Sequence, residues 1–267
     1  GEKSVYLLSF LQNRQKMINP DKWPHEKGGE KMQIKDKYRM TKEQNIFYAK
    51  RNIIDSIWKE ANLEGLNVTF PDTQAIYEGV NVPTMQVRDI VVINNLKHCW
   101  QFMIDTIDYP LSISYINQIN QEVGSSGEVW NSGILRTSPV NIGGTSWMPD
   151  IPEYENIKEN LETIMSIELP TERAITMMLY LMRSQLYNDG NKRTAQLVAN
   201  KIMIENGCGI ISIPKEHISE FSKELIEFYE TNDYESITEY VYNNCITGME
   251  PIKDISVDEN CEEELEP

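Results

Sequence analysis

Two apolar stripes at helical spacing, Ile175, Met178, Leu179, Met182 and Ala195, Val198, Ala199, Ile202, stand on either side of the polar segment QLYNDGNKRTA at 185–195. Residues three and four apart share one face of an α-helix, so each stripe predicts a helix that buries that face. The segment between them has room for a turn and little else, which sets the two helices side by side as the centre of a core. Helical periodicity runs from about residue 41 onward with no internal repeat or low-complexity linker, so the fold expected is mostly α.

The other elements follow from the same rule. Thr41 and Gln44 form a capping box, and Ile46, Ala49, Ile53, Ile57 and Trp58 continue from it as one apolar stripe to about Asn62. Ile93, Leu96, Trp100 and Met103 predict a helix over 85–107, with His98 packed among them, and Ser112 caps a shorter helix ending near Gly124. A helix over 152–167 precedes the central pair, whose second member stops at Gly207. Beyond it, 210–213 reads as a short buried strand, and two amphipathic helices over 215–231 and 234–246 follow. Over 133–149 the helical pattern lapses, and ILRTSPVNIGGTSWMP predicts a β-hairpin about a Gly143-Gly144 turn. The organisation expected is an irregular arm over 1–40, a helical domain over 41–246 and a frayed acidic tail over 247–267.

Charge narrows the function. A net charge of −16 argues against binding a nucleic-acid polymer, whose affinity rests on many lysine and arginine contacts to phosphate. A single nucleotide asks only for a local pocket with a few donors. Residues 5–11 form the only apolar run near the start, too short to cross a membrane and without a cleavage site, so neither a span nor a secretion signal is expected. Cys99, Cys208, Cys245 and Cys261 are widely spaced and form no metal-ligand pattern, which fits a reducing cytoplasm.

The 185–195 segment carries the chemistry. The first N–H groups of a helix lack partners and favour anions, so a turn that opens a helix is suited to phosphate. Gly190 lets backbone approach a ligand, Asn191 can donate or accept, and Lys192 and Arg193 add positive charge; Asp189 is the natural carboxylate for a magnesium ion shared with phosphate oxygens. Read without more context, the same residues also suit an ordinary Asp-Gly-Asn turn before a solvated helix face.

The segment resembles the motif His-x-Phe-x-Asp/Glu-Gly-Asn-Gly/Lys-Arg of the Fic family, with Asp189, Gly190, Asn191, Lys192 and Arg193 in register. Gln185 stands in the histidine place and Tyr187 in the phenylalanine place. The stretch 136–152 resembles the family's flap, and DTQAIYEGV with DIVVINNLKHCWQFM resembles its first helices, so the likeness covers roughly 60–246. The resemblance implies a helical core that binds ATP with magnesium and transfers AMP to a hydroxyl of a target protein. Asp189 would hold the magnesium, Gly190, Asn191, Lys192 and Arg193 the phosphates, and Pro139, Val140, Asn141, Ile142, Gly143 and Gly144 an unidentified target as an added strand.

Two departures bear on activity. Glutamine has no useful basicity near neutral pH, so loss of the histidine's general base alone should cost about 10²–10⁴ in rate. Many proteins of the family also silence themselves with a glutamate from a Ser/Thr-x-x-x-Glu-Gly helix, paired with an arginine three residues after the motif's own. Glu64-Gly65 resembles that pair, but Glu60 holds the Ser/Thr place and Gln196 the arginine place, so Glu64 is expected to lack a partner and to be an ordinary acid at a helix end. Glu78-Gly79 is a rival that suits a loop better. The leading reading is a nucleotide-binding protein with impaired or absent transfer; an active AMP or phosphoryl transferase using another base, and a non-catalytic interaction module, are the alternatives.

Overall fold

The computed structural model describes residues 34–250. In chain order the helices are α1 (Lys42–Arg51), α2 (Ile53–Leu63), α3 (Phe70–Tyr77), α4 (Val87–Asp105), α5 (Ile113–Val123), α6 (Tyr154–Met165), α7 (Pro170–Ser184) and α8 (Asn191–Glu205). A short strand β1 (Ile210–Ile211), helices α9 (Ile218–Thr231) and α10 (Glu235–Asn244) and strand β2 (Ile246–Thr247) complete it. None of the described helices is long and apolar enough to cross a membrane.

The expected central pair is α7 and α8, and both are buried well beyond their apolar stripes. On α8 even Asn200 and Lys201 are inaccessible, because the helix lies between two apolar cores. Ala195, Val198, Ala199, Ile202 and Met203 belong to the core shared with α6, α7, α9 and α10, whereas Leu197 and Ile204 belong to the one shared with α1 to α5. Lys201 survives there because its ammonium donates to the Ile107 carbonyl at 2.7 Å and meets Glu205 at 3.2 Å.

The first expected helix is two. Its capping box is present at Thr41 and Gln44, but Asn52 leaves the helical conformation and its amide donates back to the Tyr48 carbonyl at 2.8 Å, ending α1 and starting α2. His98 is exposed rather than packed, since the buried face of α4 runs through Val92, Leu96, Cys99 and Met103 and leaves residue 98 on the far side. The chain before α1 is irregular yet attached: Ile34 and Met40 are buried, and the Met40 N–H donates to the Gly207 carbonyl at 2.9 Å. At Gly207, φ is +72° and a Cβ would stand 1.9 Å from the Met40 carbonyl oxygen, so only glycine fits.

The expected strand over 210–213 is confined to β1, which pairs antiparallel with β2, Ile210 opposite Thr247 and Ile211 opposite Ile246. That is the only sheet among the described residues. The hairpin expected over 133–149 is therefore corrected: the segment is irregular, with a turn at Gly143-Gly144 and no strand pairing. Most of the expected acidic tail and residues 1–33 of the arm lie outside the described residues.

Candidate nucleotide-binding site

The turn between α7 and α8 is built by two left-handed residues, Gln185 at φ +46° and Gly190 at φ +74°. Gly190 is the N-cap of α8, and a Cβ there would sit 2.7 Å from Val123 Cγ1 of α5. Its lack of a side chain thus lets α5 close on the turn, and the first N–H groups of α8, which have no intrahelical partners, make this helix start suited to an anion.

Asn191 holds the turn from inside. Its Oδ1 accepts from the Tyr187 N–H at 3.0 Å, and its Nδ2 donates to the Tyr187 carbonyl at 2.9 Å and to Gln185 Oε1 at 3.0 Å. Asn120 of α5 does the same from below, donating to the Asp189 carbonyl at 3.1 Å and Thr194 Oγ1 at 3.0 Å while accepting from the Gly133 N–H at 2.7 Å. One fully buried amide thereby joins the turn, the start of α8 and the approach to the flap. No motif marks Asn120 in the sequence.

Gln185 has both ends of its amide engaged. Beside the bond from Asn191, its Nε2 donates to the Met182 carbonyl at 2.6 Å, so the side chain folds back on the end of α7. Neither atom is a proton acceptor of useful basicity. Of the histidines, His98 is exposed on α4, His217 is bonded through Nδ1 to the Tyr240 hydroxyl at 2.7 Å, and His25 lies outside the described residues.

The charges are closely coupled. Arg193 is 2% exposed and its Nη1 donates to Glu128 Oε2 at 3.0 Å. Glu64 Oε2 lies 3.8 Å from Arg193 Nε and Glu64 Oε1 3.7 Å from Lys192 Nζ, while Asp189 Oδ1 is 3.8 Å from Arg193 Nη2. Burial alone would lower the guanidinium's pKa, but Glu64 and Glu128 outweigh it and raise it. The expectation that Glu64 lacks a partner is thus corrected: with Gln196 in the arginine place, it turns to Lys192 and Arg193 instead. Glu78 ends α3 and accepts from Gln74 at 2.8 Å, as a loop acid would. Glu128 carries no signal in the sequence, where an acid between Gly127 and Val129 looks like any solvated loop residue.

Asp189 is more than half exposed, and its Oδ1 accepts from the Gly190 N–H at 2.6 Å. Among the described residues no three acidic, histidine or cysteine side chains cluster to form a metal site of their own. A single exposed carboxylate beside such a helix start suits a magnesium ion that arrives with its nucleotide and keeps most of its waters.

The flap is secured by side chains instead of a ladder. Buried Arg136 donates through Nε to the Gln185 carbonyl at 2.6 Å, through Nη1 to Ser138 at 2.8 Å and through Nη2 to Asp150 at 2.6 Å, and its own N–H donates to the Leu186 carbonyl at 3.0 Å. At the far end Glu230 of α9 accepts from the Thr145 hydroxyl and from the Ser146 N–H at 2.6 Å, bonds that hold its carboxyl below the usual range. Trp147 lies over the Arg183 guanidinium at 3.5 Å. Between these anchors Pro139, Asn141, Gly143 and Gly144 are exposed and Val140 and Ile142 half-buried.

A helical core with an anion-suited start to its most buried helix, faced by an irregular flap, defines the class of domain. Residues 110–203, which span α5, the flap, α6, α7 and most of α8, match the Fic/DOC family. The chain carries a Fic/DOC domain match over that stretch. It is 26% identical over 181 residues to protein adenylyltransferase fic-1 of Caenorhabditis briggsae and to that of Caenorhabditis elegans, covering 63% of this chain but 35% of each relative. The chain thus spans about a third of the length of the curated relatives it matches. Its fold is similar to a solved fragment of Fic-1 from C. elegans, with a TM-score of 0.64 at 20% identity, covering 91% of this chain and 72% of that one. It is also similar to a Fic-domain signalling protein from Bacteroides thetaiotaomicron, with a TM-score of 0.64 at 18% identity, covering 76% of this chain and 86% of that one.

Proposed function

We propose that this protein binds a nucleotide by its phosphate at the start of α8, with magnesium on Asp189, and that its transfer of AMP to protein hydroxyls is impaired. Adenylyltransferase is the activity named for its relatives in Caenorhabditis, and the helix start at Gly190, Asn191, Lys192 and Arg193 supports a phosphate ligand here. The observation that carries the impairment is Gln185: its amide is not basic, and both of its ends are spent on Met182 and Asn191. Magnesium, when bound, would neutralise phosphate charge; the chain's own part is to present backbone donors to the phosphate and to hold a target along 139–144. That stretch has exposed residues, Pro139, Asn141, Gly143 and Gly144, and no strand partner of its own between two firm anchors, which supports an extended target segment as partner.

Titration calorimetry of the full chain with AMP, ADP and ATP, each with magnesium, tests the binding, and labelled AMP incorporated into lysate proteins tests the transfer. Heat of binding with little or no labelling is expected. Absence of heat with every nucleotide at millimolar concentration would overturn the nucleotide reading, and vigorous labelling would overturn the impairment.

A further inference from the structure

We infer that Glu128 determines which nucleotide this site takes, by occupying Arg193 so that a ligand with a single phosphate group is preferred over one with two or three. The inference rests on the nucleotide reading above. A helix N-terminus supplies donors enough for one phosphate. Beyond what magnesium on Asp189 would neutralise, further phosphates need side-chain cations, and the two beside the helix start are already engaged: Arg193 is sealed from solvent with Nη1 on Glu128, and Lys192 faces Glu64.

Glu128 is placed there by the backbone. The loop that follows α5 turns through left-handed Ser126, Gly127 and Asn131. It is pinned by Asn95, whose amide donates to the carbonyls of Val123 at 3.1 Å and Ser125 at 2.8 Å, and by the Val129 N–H to the Gly124 carbonyl at 3.2 Å. Left-handed backbone at residues other than glycine is strained, and such strain clusters at ligand sites. The result is a carboxylate side chain 1% exposed, with one oxygen on Arg193 and the other, Oε1, without a hydrogen-bond partner among the described residues, Arg88 standing 3.7 Å away.

A buried ion pair of this kind gives little net stability, so its presence asks for another reason. A ligand with two or three phosphates must draw Arg193 away from Glu128 or set its added charge beside Glu64, Glu128 and Asp189. A nucleoside monophosphate requires neither. Glu64 stands farther off, at 3.8 Å, and makes no hydrogen bond to Arg193.

Calorimetry of the full chain with AMP and ATP, each with magnesium, tests this in wild type, Glu128→Gln and Glu64→Gln. Wild type is expected to bind AMP at least tenfold more tightly than ATP. Glu128→Gln should keep a hydrogen bond to Arg193 without the charge and shift the ratio toward ATP by tenfold or more, with Glu64→Gln shifting it less. ATP binding as tightly as AMP in wild type would overturn the inference even if Glu128→Gln does not fold. A folded Glu128→Gln with an unchanged ratio would overturn the role of Glu128. Absence of binding by both nucleotides in all three proteins would instead bring down the nucleotide reading beneath it.

Discussion

Tyr187 donates its hydroxyl to Asn117 Oδ1 at 2.8 Å, so the residue in the phenylalanine place of the motif turns an apolar contact into a bridge between the turn and α5. The ring is otherwise buried in the core below the turn, and burial pushes its phenol well above the ordinary tyrosine range, leaving it a hydrogen-bond donor at any working pH. The turn is therefore tied to α5 twice, through Asn117 and through Asn120.

Tyr187→Phe should fold and lose that bridge. A net hydrogen bond is worth about 0.5–1.5 kcal/mol, and Asn117 is only half-buried, so water can replace the lost partner. The expected outcome is a destabilisation of about 1 kcal/mol by urea unfolding, with no change in slope. A gain in stability would mean the hydroxyl is a strained accommodation rather than a tie.

How far the sequence discloses this arrangement follows from the kind of signal each part leaves. The stripes of α7 and α8 and the turn between them are readable, because a 3.6-residue period and a run of turn residues are local properties. The break at Asn52 is not, since it depends on whether an amide returns to Tyr48 or points to solvent. The flap reads as a hairpin because its residues alternate and carry a Gly-Gly turn, but a strand needs a paired backbone, and here Arg136 and Glu230 take up the anchoring from either end. Glu128 leaves no signal, because its inward aim comes from left-handed backbone at Ser126 and Gly127 and from the contact with Asn95.

Glu60 predicts a pH dependence of stability. It is fully buried on α2, where desolvation pushes its carboxyl up to about 8; the Trp100 indole N–H, at 3.0 Å from Oε1, pulls the other way, as does Arg193, while Glu64 adds to the rise. The folded protein thus holds a proton that the unfolded chain, near 4.5, gives up. Stability from this group is present below the unfolded value and falls as pH rises toward about 8, by about 1.4 kcal/mol at most for each pH step of one between them. Glu60→Gln keeps the acceptor for Trp100, carries no charge and gives a donor where Oε2 has no hydrogen-bond partner. It should change stability little at about pH 5 and raise it by roughly 2–4 kcal/mol at about pH 8.5, read by thermal unfolding. An equal effect at both values would show that folding does not shift the carboxyl's pKa.

Gln185→His should raise AMP transfer, by an amount that depends on Arg193. Histidine is among the residues that tolerate the left-handed conformation found at 185, so the end of α7 need not be rebuilt. One imidazole nitrogen can donate to the Met182 carbonyl as Gln185 does now; the other is then free to accept a proton if Asn191 releases it, and Asn191 keeps its bonds to Tyr187. A positioned base contributes about 10²–10⁴ in rate, so labelled AMP on lysate proteins should rise at least tenfold over wild type. With ATP as donor the gain should be larger when Glu128→Gln is added, because the guanidinium that offsets phosphoryl charge then no longer faces the Glu128 carboxylate. Strong labelling by wild type would mean that Gln185 is no handicap. Silence from both the single and the double variant would mean that more than a base is missing, and would turn attention to the flap at 139–144, whose ends are held by Arg136 and Glu230.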